Sequence, residues 1–287
     1  MWDVHPDRDQ EWFEKETRNM SKRQIAQELE CSFNASGETV INPEDLQRLH
    51  SLLSDPIYRT GFDRNLWIWE KYSSESSYLL AADVARGDAL DFSVFHVIKI
   101  DTMEAVAEYR GKPNLEQFAQ IIDNTGREYG NCMAVVENNS LGISILEKLQ
   151  DREYPNLYYS QKSDSPNASS YFDKYQDHSK MVAGFTMSSR TRPMIIGKFQ
   201  EYISDKGVTI QSKRLIEEMK TFIWRNNRAE AQSGYNDDLV MSFGIGMYIR
   251  DTALKLRQQG LQATKNALGN MSVDLSLIHI SEPTRPY

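Results

Sequence analysis

Between residues 78 and 109 the chain passes through three strand-like segments with no room for a helix between them. The first, 78–84, reads Tyr-Leu-Leu-Ala-Ala-Asp-Val; a turn at Arg86-Gly87-Asp88 separates it from 91–100, and 105–109 follows. Strands joined only by turns form an antiparallel meander. Beyond them the period changes. Leu115, Phe118, Ile121 and Ile122 predict a helix to about Tyr129, 133–136 is an apolar run fit for a buried strand, a helix spans about 142–150, and 157–159 is one more strand. Strands in a row, then strands alternating with helices, predict an α/β domain on a mixed sheet flanked by helices.

The flanks are read the same way. The first thirty residues carry Trp12, Phe13, Ile25 and Leu29 at helical intervals, predicting a small amphipathic helical segment. Asn42-Pro43-Glu44-Asp45 supplies a cap, a proline at the first helical position and acids in the first turn of a helix to about Leu53. From Asp55-Pro56 to Ser77 the chain reads as a linker ending in a polar hinge. A polar loop is expected over 160–179, a helix from Thr191-Arg192-Pro193 to Ile203, a hairpin over 221–231, and a helix from Asn236-Asp237-Asp238 to about Leu256. The expected organisation is 1–74, 75–260, and a tail of 261–287 that is non-native or disordered; 275–287 resembles read-through of a sequencing adapter.

Composition removes several functions. The net charge of -8 argues against a protein that coats nucleic acid passively. It hides a basic stretch, because 187–228 holds nine Lys and Arg against four Asp and Glu. No run approaches the roughly 18 apolar residues that cross a bilayer, and the start is acidic where a signal peptide is basic and then apolar. The expected location is the cytoplasm. Cys31 and Cys132 form no ligand pattern, and the five histidines show no HxH or HExxH spacing, so no zinc site is expected and His96 reads as a satisfied core histidine. Neither GxxxxGK[ST] nor GxSxG occurs, and Gly244-Ile245-Gly246 reads as close helix packing.

Three acids stand where elements begin or end: Asp83 closes the first strand of the meander, Glu137 follows 133–136, and Asp237-Asp238 opens the last helix. A carboxylate inside Leu-Leu-Ala-Ala-Asp-Val-Ala or Val-Val-Glu-Asn loses hydration and needs a cation or hydrogen bonds to stay ionised. Hard divalent cations take oxygen ligands, and two of them roughly 4 Å apart activate a water and stabilise a leaving oxygen in phosphodiester hydrolysis. Taken singly, each acid also fits a turn, an ion pair or a helix cap. A strand Asp, a strand Glu and a helix Asp in this order are the constellation of RNase H-like (RuvC-type) nucleases.

With these residues the chain resembles the large terminase subunits of tailed phages, those of T-even-like phages above all. Asp83-Val84-Ala85-Arg86-Gly87 with Asp91-Phe92-Ser93 is similar to the first nuclease motif of that family, Val136-Glu137-Asn138-Asn139 with Gly142 to the second, and 234–241 to the third; Thr191-Arg192-Pro193 matches as well. The resemblance covers about 1–255. It implies an endonuclease that cuts concatemeric viral DNA with two Mg²⁺ or Mn²⁺ ions held by Asp83, Glu137 and one of Asp237 or Asp238. It also implies Asp91 in an orienting role and the basic stretch, with Arg190, Arg192 and Lys198, on DNA. Double-stranded viral DNA, the portal protein and the small terminase subunit are the implied partners, and 1–74 would be the end of an ATPase domain with its linker. Asn236 stands where the family often has His, so no His-assisted role carries over. Two rivals remain at this level: a packaging-motor docking module with idle acids, and an RNase H-like resolvase or integrase.

Overall fold

The computed structural model describes residues 38–61, 63–85, 91–139, 141–161 and 181–250, with Trp12 and Thr17, both helical. The remainder of the helices expected over the first thirty residues, the 86–88 turn, most of the 160–179 loop, the far end of the last helix and the 261–287 tail lie outside the described residues. The chain divides into two compact units, 1–248 and 249–287. Of the second, the described residues 249 and 250 are helical. No helix among the described residues is long and apolar enough to cross a membrane.

Elements of the first unit follow in this order: β1 (Glu38–Thr39), α1 (Pro43–Ser51), β2 (Tyr58–Thr60), β3 (Leu66–Ile68), β4 (Tyr78–Asp83), β5 (Ser93–Lys99), β6 (Glu104–Gly111) and α2 (Leu115–Glu128). After them come β7 (Met133–Val136), α3 (Gly142–Asp151), β8 (Tyr159–Gln161), β9 (Met181–Ala183), α4 (Thr191–Ser204), α5 (Lys213–Thr221), β10 (Phe222–Arg225) and β11 (Arg228–Ala231). A further helix, α6, begins at residue 238.

The main sheet has six strands in the order β2-β3-β6-β5-β4-β7. The meander β4-β5-β6 is antiparallel, and β7 returns through α2 to pair with β4 in parallel, Leu79 opposite Met133 and Ala82 opposite Val136. Side chains alternate across a strand, which separates two faces here. Leu80, Ala82, Phe95, Val97, Ala134 and Val136 pack with Phe118 and Ile122 of α2 and Ile145 and Leu149 of α3 in one core cluster. The opposite face, with Leu79, Ala81 and His96, receives α6. Ser242 Oγ donates to the Ala81 carbonyl at 2.9 Å, and His96 sits edge-on to Phe243. A Cβ at Gly246 would stand 2.3 Å from Ile98 Cδ1 and 3.3 Å from Ala81 Cβ, so the glycine lets the helix lie directly on the sheet. Close packing is thus the role of Gly246, as expected.

Expectation and structure part in four places. The 55–77 linker contributes β2 and β3, which lengthen the sheet beside β6. Its proline, glycine and serines hide two strands of three residues each, held by side-chain contacts: the guanidiniums of Arg59 and Arg214 lie over the Trp67 ring, and Tyr109 OH donates to Asp63. Residues 213–221 form a helix, capped by Ser212, which accepts from Leu215 N. The strand expected at 157–159 is a single bridge at Leu157 followed by β8, paired with an unforeseen β9. Finally, β1 pairs with β10 and draws α1 onto the C-terminal half, where Arg48 donates to the Ile203 carbonyl. The cap and proline of α1 stand as read, with Asn42 accepting from Asp45 N. So does the hairpin: Asn226 and Asn227, at φ 50° and 59°, form the two-residue turn with positive φ that suits twisted strands.

Candidate active site

The parallel register of β4 and β7 sets the first two acids. Since Ala82 faces Val136, the next residues along each strand, Asp83 and Glu137, emerge side by side at the carboxyl ends of neighbouring strands. Glu137 N donates to the Ala82 carbonyl at 3.0 Å, which closes that register. Strand alternation puts Asp83 on the same face as Ala81, the face covered by α6, whose first residue is Asp238. Three elements distant in sequence thus bring the acids to one cavity of about 950 Å³. Asp83, Asp91, Glu137, Asp237 and Asp238 all line it.

Each acid is held. Asp238 Oδ2 accepts from Phe92 N at 3.0 Å and from Asn236 Nδ2 at 3.1 Å. Glu137 Oε1 accepts from Asn139 Nδ2 at 2.7 Å. Behind Glu137 the chain has no slack: a Cβ at Gly142 would stand 1.8 Å from the Glu137 carbonyl oxygen, so only glycine lets α3 start there. Asp237 accepts from Arg192 Nη2 at 2.5 Å.

The charges are unbalanced. Burial raises the Asp83 carboxyl well above the usual carboxylate range. The negative charge of Glu137 and a hydrogen bond to it add to the effect, and Asp238 and Asp237 raise it further. Asp238 is pushed up to about 6, first by burial, with the Phe92 amide opposing and Asp91 adding. Crowding buried carboxylates together disfavours their charged forms, and an added cation opposes that effect. Among the described residues no three His, Cys, Asp or Glu side chains already form a metal cage. The acids share one cavity wall, and Asp83 and Glu137 are joined by a hydrogen bond. An all-oxygen donor set with surplus negative charge fits hard divalent cations in kind.

The basic residues sort differently from expectation. Arg192 lines the cavity, and its Nε is buried without a hydrogen-bond partner. Lys198 is not among the lining residues; it binds Glu201 at 3.0 Å and lies over the Tyr202 ring. Arg190 is exposed ahead of α4 and does not line the cavity either. The β10–β11 hairpin instead supplies Arg225, Arg228, Asn227 and Trp224 to the lining. Arg225 and Arg228 belong to the basic stretch seen in the sequence, but only the hairpin pairing shows that they reach the acids. His96 is buried between Ser242 Oγ at 3.0 Å and Glu108 Oε2 at 3.2 Å, away from the cavity lining.

No family model matches the chain. Among solved structures, the large terminase nuclease from thermophilic phage G20c with bound cobalt superposes with a TM-score of 0.54 at 18% identity, over 74% of this chain and 97% of that one. The same nuclease with bound magnesium gives 0.53, at the same identity and coverage. The large terminase nuclease domain of Thermus phage P74-26 gives 0.52 at 19% identity, over 71% and 93%. The chain therefore has the RNase H-like mixed-sheet fold of large terminase nuclease domains. The likeness first seen in three short motifs holds at the level of the fold.

Proposed function

We propose that this chain is the nuclease of a tailed-phage large terminase subunit, an endonuclease that cuts concatemeric viral DNA by two-ion phosphodiester hydrolysis in the host cytoplasm. The observation that carries this reading is the meeting of Asp83, Glu137 and Asp238 from β4, the end of β7 and the start of α6 in the lining of one cavity. These three residues would hold the ions, Mg²⁺ or Mn²⁺, which when bound supply an acidified water and a counter-charge for the leaving oxygen.

The chain's own residues do the rest. Arg192 occupies one oxygen of Asp237, so Asp238 is the ligand we assign, and Asp237 orients the guanidinium. The partnerless Nε of Arg192 is a donor waiting for an anionic oxygen, and a phosphate supplies one. Arg225 and Arg228 extend that positive edge along the hairpin, where they would track the DNA backbone, with Arg190 and Lys198 steering from farther off. Asp91 would orient and not ligate. Glu137 is kept facing the cavity by Asn139 and by the tight start of α3.

We also propose that residues up to 74 carry the end of an ATPase domain and its linker, although β2 and β3 complete the nuclease sheet. Residues 75–260 would be the nuclease and 261–287 a non-native tail. Portal and small terminase subunits would be partners of the full-length protein. The test is nicking of supercoiled plasmid at low salt with Mg²⁺, Mn²⁺ or EDTA, for the wild type and Glu137→Ala. Metal-dependent nicking lost in the variant is the expected result. A folded protein that nicks with neither metal would sink the proposal.

A further inference from the structure

Asp238 opens α6, and the first amides of a helix have no partner inside it. Leu239 and Val240 are buried, so no water reaches their N–H groups. Both donate to one atom, Glu218 Oε2 of α5, at 2.8 and 3.4 Å. The other oxygen, Oε1, lies 3.6 Å from Arg110 Nε, and both of those atoms are buried without a hydrogen bond. Arg110 in turn stacks over Phe92 at 4.0 Å, and Phe92 N donates to Asp238 Oδ2. Two arms therefore meet around Asp238: Glu218 holds the two amides that follow it, and Phe92, under Arg110, holds its carboxylate.

An apolar side chain at 218 would strip two buried amides of their acceptor, so the carboxyl is tied to the geometry of the α6 start and not to filling space. We propose that Glu218 is a positioning residue, which fixes the start of α6 so that Asp238 opens into the cavity lined by Asp83 and Glu137. The proposal rests on the nuclease reading above. Burial pushes the Glu218 carboxyl up to about 8 against the pull of Arg110, so near neutral pH an uncharged acceptor of the same length is a fair replacement.

That suggests a pair of conservative variants. Glu218→Gln keeps an acceptor at the same reach, whereas Glu218→Asp keeps the carboxyl but withdraws it by one methylene. Mn²⁺ binding to the whole chain is measured by calorimetry at pH 7, with thermal unfolding as a check of the fold. Glu218→Gln should bind within about threefold of wild type, and Glu218→Asp should be weaker by roughly 10- to 100-fold, the usual cost of losing a group that orients a metal ligand. Lowered stability alone would not produce this split. Wild-type affinity in Glu218→Asp, equal losses in both variants, or a larger loss in Glu218→Gln would each overturn the proposal. A wild type that binds no Mn²⁺, or binds it no better than Asp83→Ala does, would defeat the metal-site reading itself, independently of Glu218.

Discussion

Gly142→Ala probes the site without touching a carboxylate. The added Cβ would meet the Glu137 carbonyl oxygen at 1.8 Å and its carbon at 2.9 Å, where ordinary contact begins near 3.4 Å. Backbone must therefore move by about 1.6 Å, and no flexible side chain can absorb the shift. Two effects compete. Alanine in a helix gains about 0.5–1 kcal/mol over glycine, while forcing atoms into a packed interior costs about 1–3 kcal/mol. The second wins, leaving a loss of about 1–2 kcal/mol, or a fall in Tm of about 2–8 °C for a unit of this size. Function should suffer more, because the atom displaced is the backbone of Glu137, and a shift of about 1 Å at a reacting group can cost 10²-fold. Plasmid nicking with Mn²⁺ and a thermal melt give the two numbers. A variant that cuts at the wild-type rate would refute the claim that α3 sets Glu137 through this contact.

Three further outcomes are expected. Asp83→Asn should abolish metal-dependent nicking yet raise the Tm in EDTA, since it removes a buried acid crowded by Glu137, and added Mn²⁺ should raise the Tm of the wild type but not that of the variant. Without metal, stability should pass through a maximum near pH 4 to 5. Glu108 is held down at about 2, because His96 and Arg214 outweigh its burial, so its contribution is lost as pH falls toward that value; Asp238 at about 6 and Glu218 at about 8 are raised, so theirs is lost as pH rises through those values. Melts across pH in EDTA test this, and a stability that climbs steadily from pH 5 to 8 would contradict it. Arg214→Met strips the buried Glu108 of a 2.6 Å partner and should cost about 3–5 kcal/mol in urea unfolding; a cost under about 1 kcal/mol would mean that His96 alone suffices.

The acids were legible in the sequence because each interrupts an apolar run, and a charge at the end of a buried strand asks for a reason. The meander and α2 were legible from their periods alone. β2 and β3 were not, since two three-residue strands gain their stability from Trp67, Tyr109 and Arg214, which no local window contains. α5 leaves a faint signal in Ser212 followed by Leu215, Ile216 and Met219, but it falls between the helix expected to end at Ile203 and the hairpin expected from 221. Glu218 and Arg110 read as ordinary surface charges, and the hairpin arginines only as members of a basic stretch. Glu218 acts on amides 21 and 22 positions away, and hairpin pairing brings Arg225 and Arg228 to the cavity, which composition does not show.

The grip of Phe92 N on Asp238 spans 146 positions of the chain. A ribosome delivers β4 and β7 long before α6, and domains begin to fold as they emerge. A chain halted or trimmed before residue 238 still has the strands that carry Asp83 and Glu137, but not the helix that completes the cavity. On the nuclease reading, copies that end before residue 238 would lack Asp238 and stay harmless to DNA. Dependence on α6 would then act as an interlock between making the chain through that helix and arming it.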